Sequence, residues 1–170
     1  TNEYLRDNGA TIFTYKVNDP QRYGVVNVDK NNNPIDIIEK PKNPKSDNAV
    51  TGLYFYDSSV AHIAKSLTPS NRGELEITDI NKMYLKKNTL FVKSLDNDMT
   101  WLDAGTIKSL YEASNFIRAL EERTGKKIGC LEEIALSKKL ISKGYLKKII
   151  PTFGSSEYGK YLKQVYEKKL

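Results

Sequence analysis

Short apolar runs rich in Val, Ile, Tyr and Phe fill the first third of the chain, and polar turn clusters separate them. On that pattern residues 10–17, 23–29, 34–39 and 49–56 read as strands, with Asn18-Asp19-Pro20 and Asn31-Asn32-Asn33-Pro34 as turns. The Asn triplet is short enough for a hairpin. Pairing across it brings Tyr23 and Glu39 to one end of that hairpin, although they are far apart in sequence. Pro41 and Pro44 remove ladder donors, so the chain leaves the sheet just after Lys40 and Glu39 ends a strand.

From Ser58 the spacing turns helical. Val60, Ile63, Ala64 and Leu67 mark one face, with Asp57 or Ser58 as cap and Pro69 as stop. His62 lies beside that face with no second metal ligand at coordinating spacing, and no chemistry is assigned to it. Ile77, Ile80 and Tyr84 mark a second helix that Thr78 can cap, and residues 90–95 read as a strand. A third helix carries Ile107, Leu110, Ser114, Ile117 and Leu120 on one face and ends at Gly125. The tail reads as helix over 131–141, stopped near Gly144, and again over 155–168. Tyr158, Tyr161, Leu162, Val165 and Tyr166 stripe the last helix and are read as a subunit interface rather than a base-stacking platform. Strands and helices are mixed along the chain, which indicates an α/β fold.

Composition narrows the partners. At 170 residues, 39% hydrophobic and 28% charged, the chain suits one ordinary soluble domain. No apolar run reaches the roughly 18 to 20 residues a bilayer requires, and the single Cys130 cannot form an internal disulfide. A cytoplasmic, reduced protein is expected. The chain begins at Thr1 without a signal-like pattern, so its start reads as cut. A formal charge of +6 suits a polyanion, either nucleic acid or a phosphorylated small molecule. The lysine pairs, such as Lys86-Lys87 and Lys147-Lys148, are scattered among acids, as on solvated helix faces, and no segregated basic patch for a nucleic-acid backbone is visible.

Four segments combine turn residues with chemistry that packing does not require: Arg22-Tyr23-Gly24-Val25-Val26, Ile38-Glu39-Lys40-Pro41, Arg72-Gly73-Glu74-Leu75-Glu76-Ile77-Thr78-Asp79 and Trp101-Leu102-Asp103-Ala104-Gly105-Thr106. Glycine beside tyrosine at a strand start lets a ligand approach backbone, and a carboxylate at a strand end can accept two sugar hydroxyls. Arg and Lys at such ends suit phosphate. An Asp after Trp in a small-residue turn could hold Mg²⁺ against phosphate oxygens.

Together, with Thr51-Gly52-Leu53-Tyr54-Phe55-Tyr56-Asp57 and Cys130-Leu131-Glu132-Glu133-Ile134-Ala135, these segments resemble the C-terminal two-thirds of the sugar nucleotidylyltransferases, most closely the glucose-1-phosphate thymidylyltransferases. The resemblance implies part of a three-layer α/β/α nucleotidyltransferase fold with a mixed sheet, followed by C-terminal helices. The division implied is a sugar-phosphate and metal half over 1–124 and a helical extension for assembly and regulation over 125–170. It further implies Mg²⁺-dependent formation of dTDP-glucose and pyrophosphate from dTTP and glucose 1-phosphate, by positioning and charge neutralisation rather than a side-chain nucleophile.

By motif, Gly24 and Val50 would meet the glucosyl group through backbone, Glu39 would accept its hydroxyls, and Tyr23 and Tyr54 would line the pocket. Lys40 and Arg72 would bind the sugar phosphate, Glu74 would support the sugar side, and Asp103 beside Trp101 would be one of two aspartates holding Mg²⁺. The family's Gly-x-Gly-Thr-Arg-Leu loop is absent and no Gly-x-Gly occurs, so this chain alone is expected to bind dTTP poorly and not to catalyse. Ile107 stands where relatives often carry His. A homotetramer with feedback by a dTDP-sugar is implied for the whole enzyme, with no nucleic-acid or membrane partner. The alternatives are a uridylyl- or cytidylyltransferase for another sugar 1-phosphate, and a basic interaction domain binding nucleic acid or protein.

Overall fold

In the computed structural model, which describes residues 7–96 and 98–168, the apolar runs near the start of the chain become a mixed five-stranded sheet. Its strands are β1 (Ala10–Lys16), β2 (Gly24–Val28), β3 (Pro34–Glu39), β4 (Asn48–Tyr56) and β5 (Leu90–Ser94), in the order β3-β2-β4-β1-β5. β1 runs antiparallel to β4 and parallel to β5, while β2 is antiparallel to both β3 and β4. The α/β class and the mixed sheet are therefore as the sequence indicated.

The hairpin turn forms where the Asn triplet placed it. The Asp29 carboxylate accepts the N–H groups of Asn31 and Asn33, each at 2.8 Å, and Asn32 takes a left-handed φ of 64°. The Asn33 side-chain amide is the main cause that holds Asp29 below the usual carboxylate range. Asn32 also donates from Nδ2 to the Val92 carbonyl at 3.0 Å, so the turn reaches the opposite edge strand and the sheet curls.

The chain divides into two compact units, Thr1–Trp101 and Leu102–Leu170. In the first, α1 (Val60–Lys65) and α2 (Ile77–Lys86) cover one sheet face. Alternation in β1 points Ala10 and Ile12 into the same cluster as Val26, Ile37, Ile63, Ile80, Tyr84 and Leu90, all buried. Tyr54, Tyr56 and Tyr84 stack in sequence with ring centroids 5.6 Å apart at each step. The buried Asn81 amide accepts the Tyr56 hydroxyl at 2.6 Å, yet its Nδ2 has no partner among the described residues.

Three helix ends differ from expectation here: Ser59, rather than Asp57 or Ser58, holds the cap position of α1. α1 ends at Lys65, before Pro69, because the Ser66 N–H already closes the last turn on Ile63 and Ala64. Thr78 does not cap α2: Glu76 holds the cap position, and the Thr78 hydroxyl is committed to another carboxylate described below.

The second unit contains α3 (Ile107–Thr124), α4 (Leu131–Ser137), α5 (Lys143–Ile149) and α6 (Glu157–Glu167). Thr106 and Ser109 form a reciprocal capping box at the start of α3, and Gly125 ends it with a φ of 65°. The expected helix over 131–141 stops early, at Ser137. Ser142 caps a new helix through the Tyr145 N–H at 3.0 Å, so Gly144 lies in a first turn and stops nothing. The aromatic stripe of α6 also reads differently in three dimensions: Tyr161, Leu162 and Val165 are buried against Leu136, Leu146 and Cys130 and form this unit's own core. The Tyr161 hydroxyl donates to Glu133 at 2.5 Å and that of Tyr158 to Glu132, pinning α6 to the first turn of α4. Burial first, and then these partners, push both tyrosine hydroxyls above their usual range.

One carboxylate staples the first unit. Asp57 accepts the Gly9 N–H at 2.6 Å, the Ser59 hydroxyl at 2.5 Å and N–H at 2.9 Å, and the Tyr84 hydroxyl at 2.8 Å. The Ser59 hydroxyl, then Gly9, lower its pKa to about 2. Asp57→Ala is expected to lower urea stability at pH 7 by about 1–2 kcal/mol, allowing for solvent screening. An unfolded aspartate titrates near about 3.9, so this contribution is complete above that pH and vanishes as the pH falls through the folded value. Urea curves of both proteins from pH 7 to pH 2 should therefore converge at the acid end.

Candidate functional site

The end of the β2–β3 hairpin is built by register. Gly24 stands directly opposite Glu39, and the Lys40 N–H bonds the Tyr23 carbonyl at 3.0 Å, so the pair expected from sequence is brought together. Lys40 then leaves the sheet in a left-handed turn, φ 43°, and is exposed.

A side chain at Gly24 would press on its neighbours. A Cβ there would lie 3.1 Å from Glu39 Oε2, 3.1 Å from Thr78 Oγ1 and 3.9 Å from Val50 Cβ. Bare backbone at Gly24 thus sits beside a carboxylate and a hydroxyl. The hydroxyl of Thr78, which is 2% exposed, donates to Glu39 Oε2 at 2.5 Å. Arg72 Nη1 approaches Glu39 Oε1 at 3.7 Å, while the same guanidinium holds Glu74 at 2.6 Å and Glu76 at 3.4 Å. Ser70 fixes Glu76 in turn at 2.9 Å. Arg72 is half-exposed, so each of these pairs contributes at most about 1 kcal/mol. Their effect is orientation.

β4 adjoins this group through Val50. Between Ile12 opposite Tyr54 and Thr14 opposite Val50, β4 carries a bulge, with Gly52 at φ 85°. The bulge frees the Thr51 carbonyl to accept the Trp101 indole N–H at 3.1 Å. Trp101 also packs edge-on to Tyr23, with ring centroids 5.1 Å apart, and lies 6.1 Å from Tyr15. One indole thus braces the residue after Val50 and the residue before Gly24. Tyr54 is half-buried, and burial first, then the negative charge of Glu39, raise its pKa, keeping its hydroxyl protonated and able to donate.

The first unit therefore gathers Tyr23, Gly24, Glu39, Val50 and Tyr54, and links Arg72 and Glu74 to Glu39 through the guanidinium. Thr78 and Glu76 belong to the same group but were not singled out from sequence. Their signal was present in Glu74, Glu76 and Thr78, polar residues at alternate positions leading into a helix. Asp103 lies in the second unit, where its Oδ1 accepts the Gly105 N–H at 3.1 Å. Among the described residues no three His, Cys, Asp or Glu side chains cluster as a protein-only metal cage.

The nucleotidyl transferase family profile matches residues 2–119. The chain belongs to the nucleotidyl transferase family. This nucleotidyl transferase chain is 48% identical over 157 residues to a glucose-1-phosphate thymidylyltransferase of Xanthomonas campestris pv. campestris, covering 92% of the chain and 53% of the relative. It is 46% identical over 160 residues to the enzyme of that name from Neisseria meningitidis, covering 94% and 56%. The chain spans about half the length of these relatives. Among solved structures it resembles a protein assigned as a glucose-1-phosphate thymidylyltransferase from Bacillus anthracis, in complex with a sucrose. That match has 49% identity and a TM-score of 0.57, and covers 64% of this chain and 43% of that one. A UDP-glucose pyrophosphorylase, 23% identical with a TM-score of 0.56 over 63% of this chain and 43% of its own, shares the fold.

Thr78→Val keeps the shape and deletes the hydroxyl. It should leave Glu39 Oε2 without its partner and lower urea stability by about 1–2 kcal/mol, with circular dichroism unchanged. A variant as stable as the parent would mean that the bond does not hold Glu39.

Proposed function

We propose that this chain supplies the sugar-phosphate half of a nucleotidyltransferase that joins dTTP and glucose 1-phosphate to give dTDP-glucose and pyrophosphate. The observation that carries the reading is the bare backbone of Gly24 facing Glu39, with Thr78 holding one carboxylate oxygen. A hexose presents vicinal hydroxyls, which a fixed carboxylate can accept together, and the missing Cβ at position 24 lets that carboxylate and the Thr78 hydroxyl lie close against backbone. The names of the relatives support thymidylyl transfer to glucose 1-phosphate rather than another base or sugar.

In this reaction an oxygen of the sugar phosphate attacks the α-phosphorus of dTTP. A P–O bond forms there, the bond to the β-phosphate bridging oxygen breaks, and its electron pair leaves on pyrophosphate. No side chain is a nucleophile, so the protein acts by positioning. Glu39 orients the sugar hydroxyls, the Gly24 and Val50 backbone meets the ring, and Tyr23 and Tyr54 line it. The protonated Tyr54 hydroxyl serves as a donor. Lys40 and Arg72 bind the sugar phosphate, with Arg72 exchanging a carboxylate partner for it, and Glu74 keeps that guanidinium aligned.

Asp103 fits Mg²⁺ in donor type, since this ion is commonly held by one or two carboxylates together with substrate phosphates and water. When bound, the ion neutralises charge on the phosphate oxygens. The division of labour assigns residues 1–124 to sugar phosphate and metal. The helices over 125–170 serve assembly into a homotetramer and feedback by a dTDP-sugar, a reading supported by the exposed Ile128, Leu131, Ile134 and Leu140.

Titration calorimetry of the 170-residue chain with glucose 1-phosphate should show saturable binding that Glu39→Gln weakens by about tenfold or more, one charged-acceptor hydrogen bond being worth about 1.5–3 kcal/mol. The same chain should form no dTDP-glucose from dTTP, because it lacks the Gly-rich loop. No heat with glucose 1-phosphate, together with salt-sensitive binding to DNA, would sink the proposal in favour of nucleic-acid binding.

A further inference from the structure

Both oxygens of the Glu39 carboxylate already have partners on the protein. Oε2 accepts the Thr78 hydroxyl at 2.5 Å, and Oε1 faces Arg72 Nη1 at 3.7 Å. The side chains of Glu39 and Glu76 are only 20% and 11% exposed, so both charges are partly desolvated. Nη1 sits between them, 3.4 Å from Glu76 Oε1. The other arm of the guanidinium is held separately, Nη2 donating to the exposed Glu74 at 2.6 Å. The backbone beneath is closed into a turn, because the Ser70 N–H bonds the Glu74 carbonyl and the Gly73 N–H bonds the Ser70 carbonyl, each at 2.8 Å. Rotation of the side chain about the Glu74 bond therefore carries Nη1 off Glu39 with no change of fold. While Arg72 is shared among three carboxylates, its charge is not available to an anion.

We infer that Arg72 is a selectivity latch: its guanidinium screens Glu39 from sugar hydroxyls until an anionic group on the same ligand draws it away, so a phosphorylated hexose is admitted and a neutral one is disfavoured. The inference rests on the sugar-phosphate reading above and adds a coupling to it. A neutral hexose must displace the cation from Glu39 Oε1 and offers it nothing in exchange, although a hydroxyl is a weaker partner for a carboxylate than a guanidinium is. A sugar phosphate supplies both halves of the exchange. Its hydroxyls donate to Glu39 while its phosphate takes the guanidinium. Separate sugar and phosphate contacts would act independently, whereas an ion pair that joins them makes each ligand group assist the other, and that assistance is reciprocal.

Ligand titrations of the isotope-labelled 170-residue chain, followed by NMR at the Gly24 amide, test this. Inorganic phosphate, compared with chloride at equal ionic strength, should tighten binding of free glucose to the parent chain by about twofold to fivefold, the worth of one partly exposed ion pair. Arg72→Met removes the charge and keeps the stem. It should tighten free glucose by a similar factor while weakening glucose 1-phosphate at least about tenfold. The opposite signs separate a latch from a plain phosphate contact, whose loss would weaken glucose 1-phosphate and leave glucose unchanged. A parent chain that binds glucose 1-phosphate, but whose affinity for glucose is unmoved by phosphate or by a folded Arg72→Met variant, overturns the latch and leaves the sugar-phosphate reading standing. If the variant does not fold, the phosphate comparison on the parent chain decides alone. Binding of neither sugar removes that reading, and the latch with it.

Discussion

The pairing of Gly24 with Glu39 across the β2–β3 hairpin is the constraint on which the candidate site rests. A one-residue slip of register would turn Glu39 to the other face of the sheet and set a side chain where Gly24 now leaves space. Both ends of the hairpin resist such a slip. At the turn, Asp29 gathers the amides of Asn31 and Asn33, and Asn32 reaches across to Val92. At the open end, the Lys40 N–H bonds Tyr23 before the two prolines carry the chain away. A site made by register is positioned as firmly as the sheet itself.

Around that fixed pair the chain recruits groups from elsewhere by simple means. Thr78, at the start of a helix, gives up capping and donates to Glu39. Arg72 bridges Glu39, Glu74 and Glu76, so one cation is shared among three nearby carboxylates. The bulge in β4 accompanies release of the Thr51 carbonyl, and Trp101 bonds that carbonyl while packing on Tyr23. Behind the site, the tyrosine stack and the Asp57 staple tie β4 to α2. The candidate site and the core of the first unit therefore share β4.

The second unit follows a different logic. α4 and α5 are short, and the tyrosine hydroxyls of α6 close on the acidic first turn of α4. Those acids also sit where a helix N-terminus favours negative charge. α3, in contrast, has no buried residue within the described structure, and Ile107 is 91% exposed. Its apolar positions are thus stabilised by capping at both ends rather than by burial.

Local chemistry was enough to read the strands, the hairpin, the Gly125 stop and the meeting of Tyr23 with Glu39, because turn residues and strand alternation act over a few residues. The literal runs around Glu39, Arg72 and Asp103 were equally plain. Three features needed the tertiary structure. Thr78 reads as a cap from its neighbours alone, and only the approach of β3 to α2 gives its hydroxyl a better acceptor. The stripe on α6 is apolar wherever it is buried, so spacing could not separate a core from a subunit surface. Gly144 normally breaks a helix, but Ser142 starts one two residues earlier, and a side-chain cap outweighs the weak helix propensity of a single glycine. Sequence determined which residues could form the site; the fold decided which hydrogen bonds they make, because competing partners for one hydroxyl or one helix face come from segments distant in the chain.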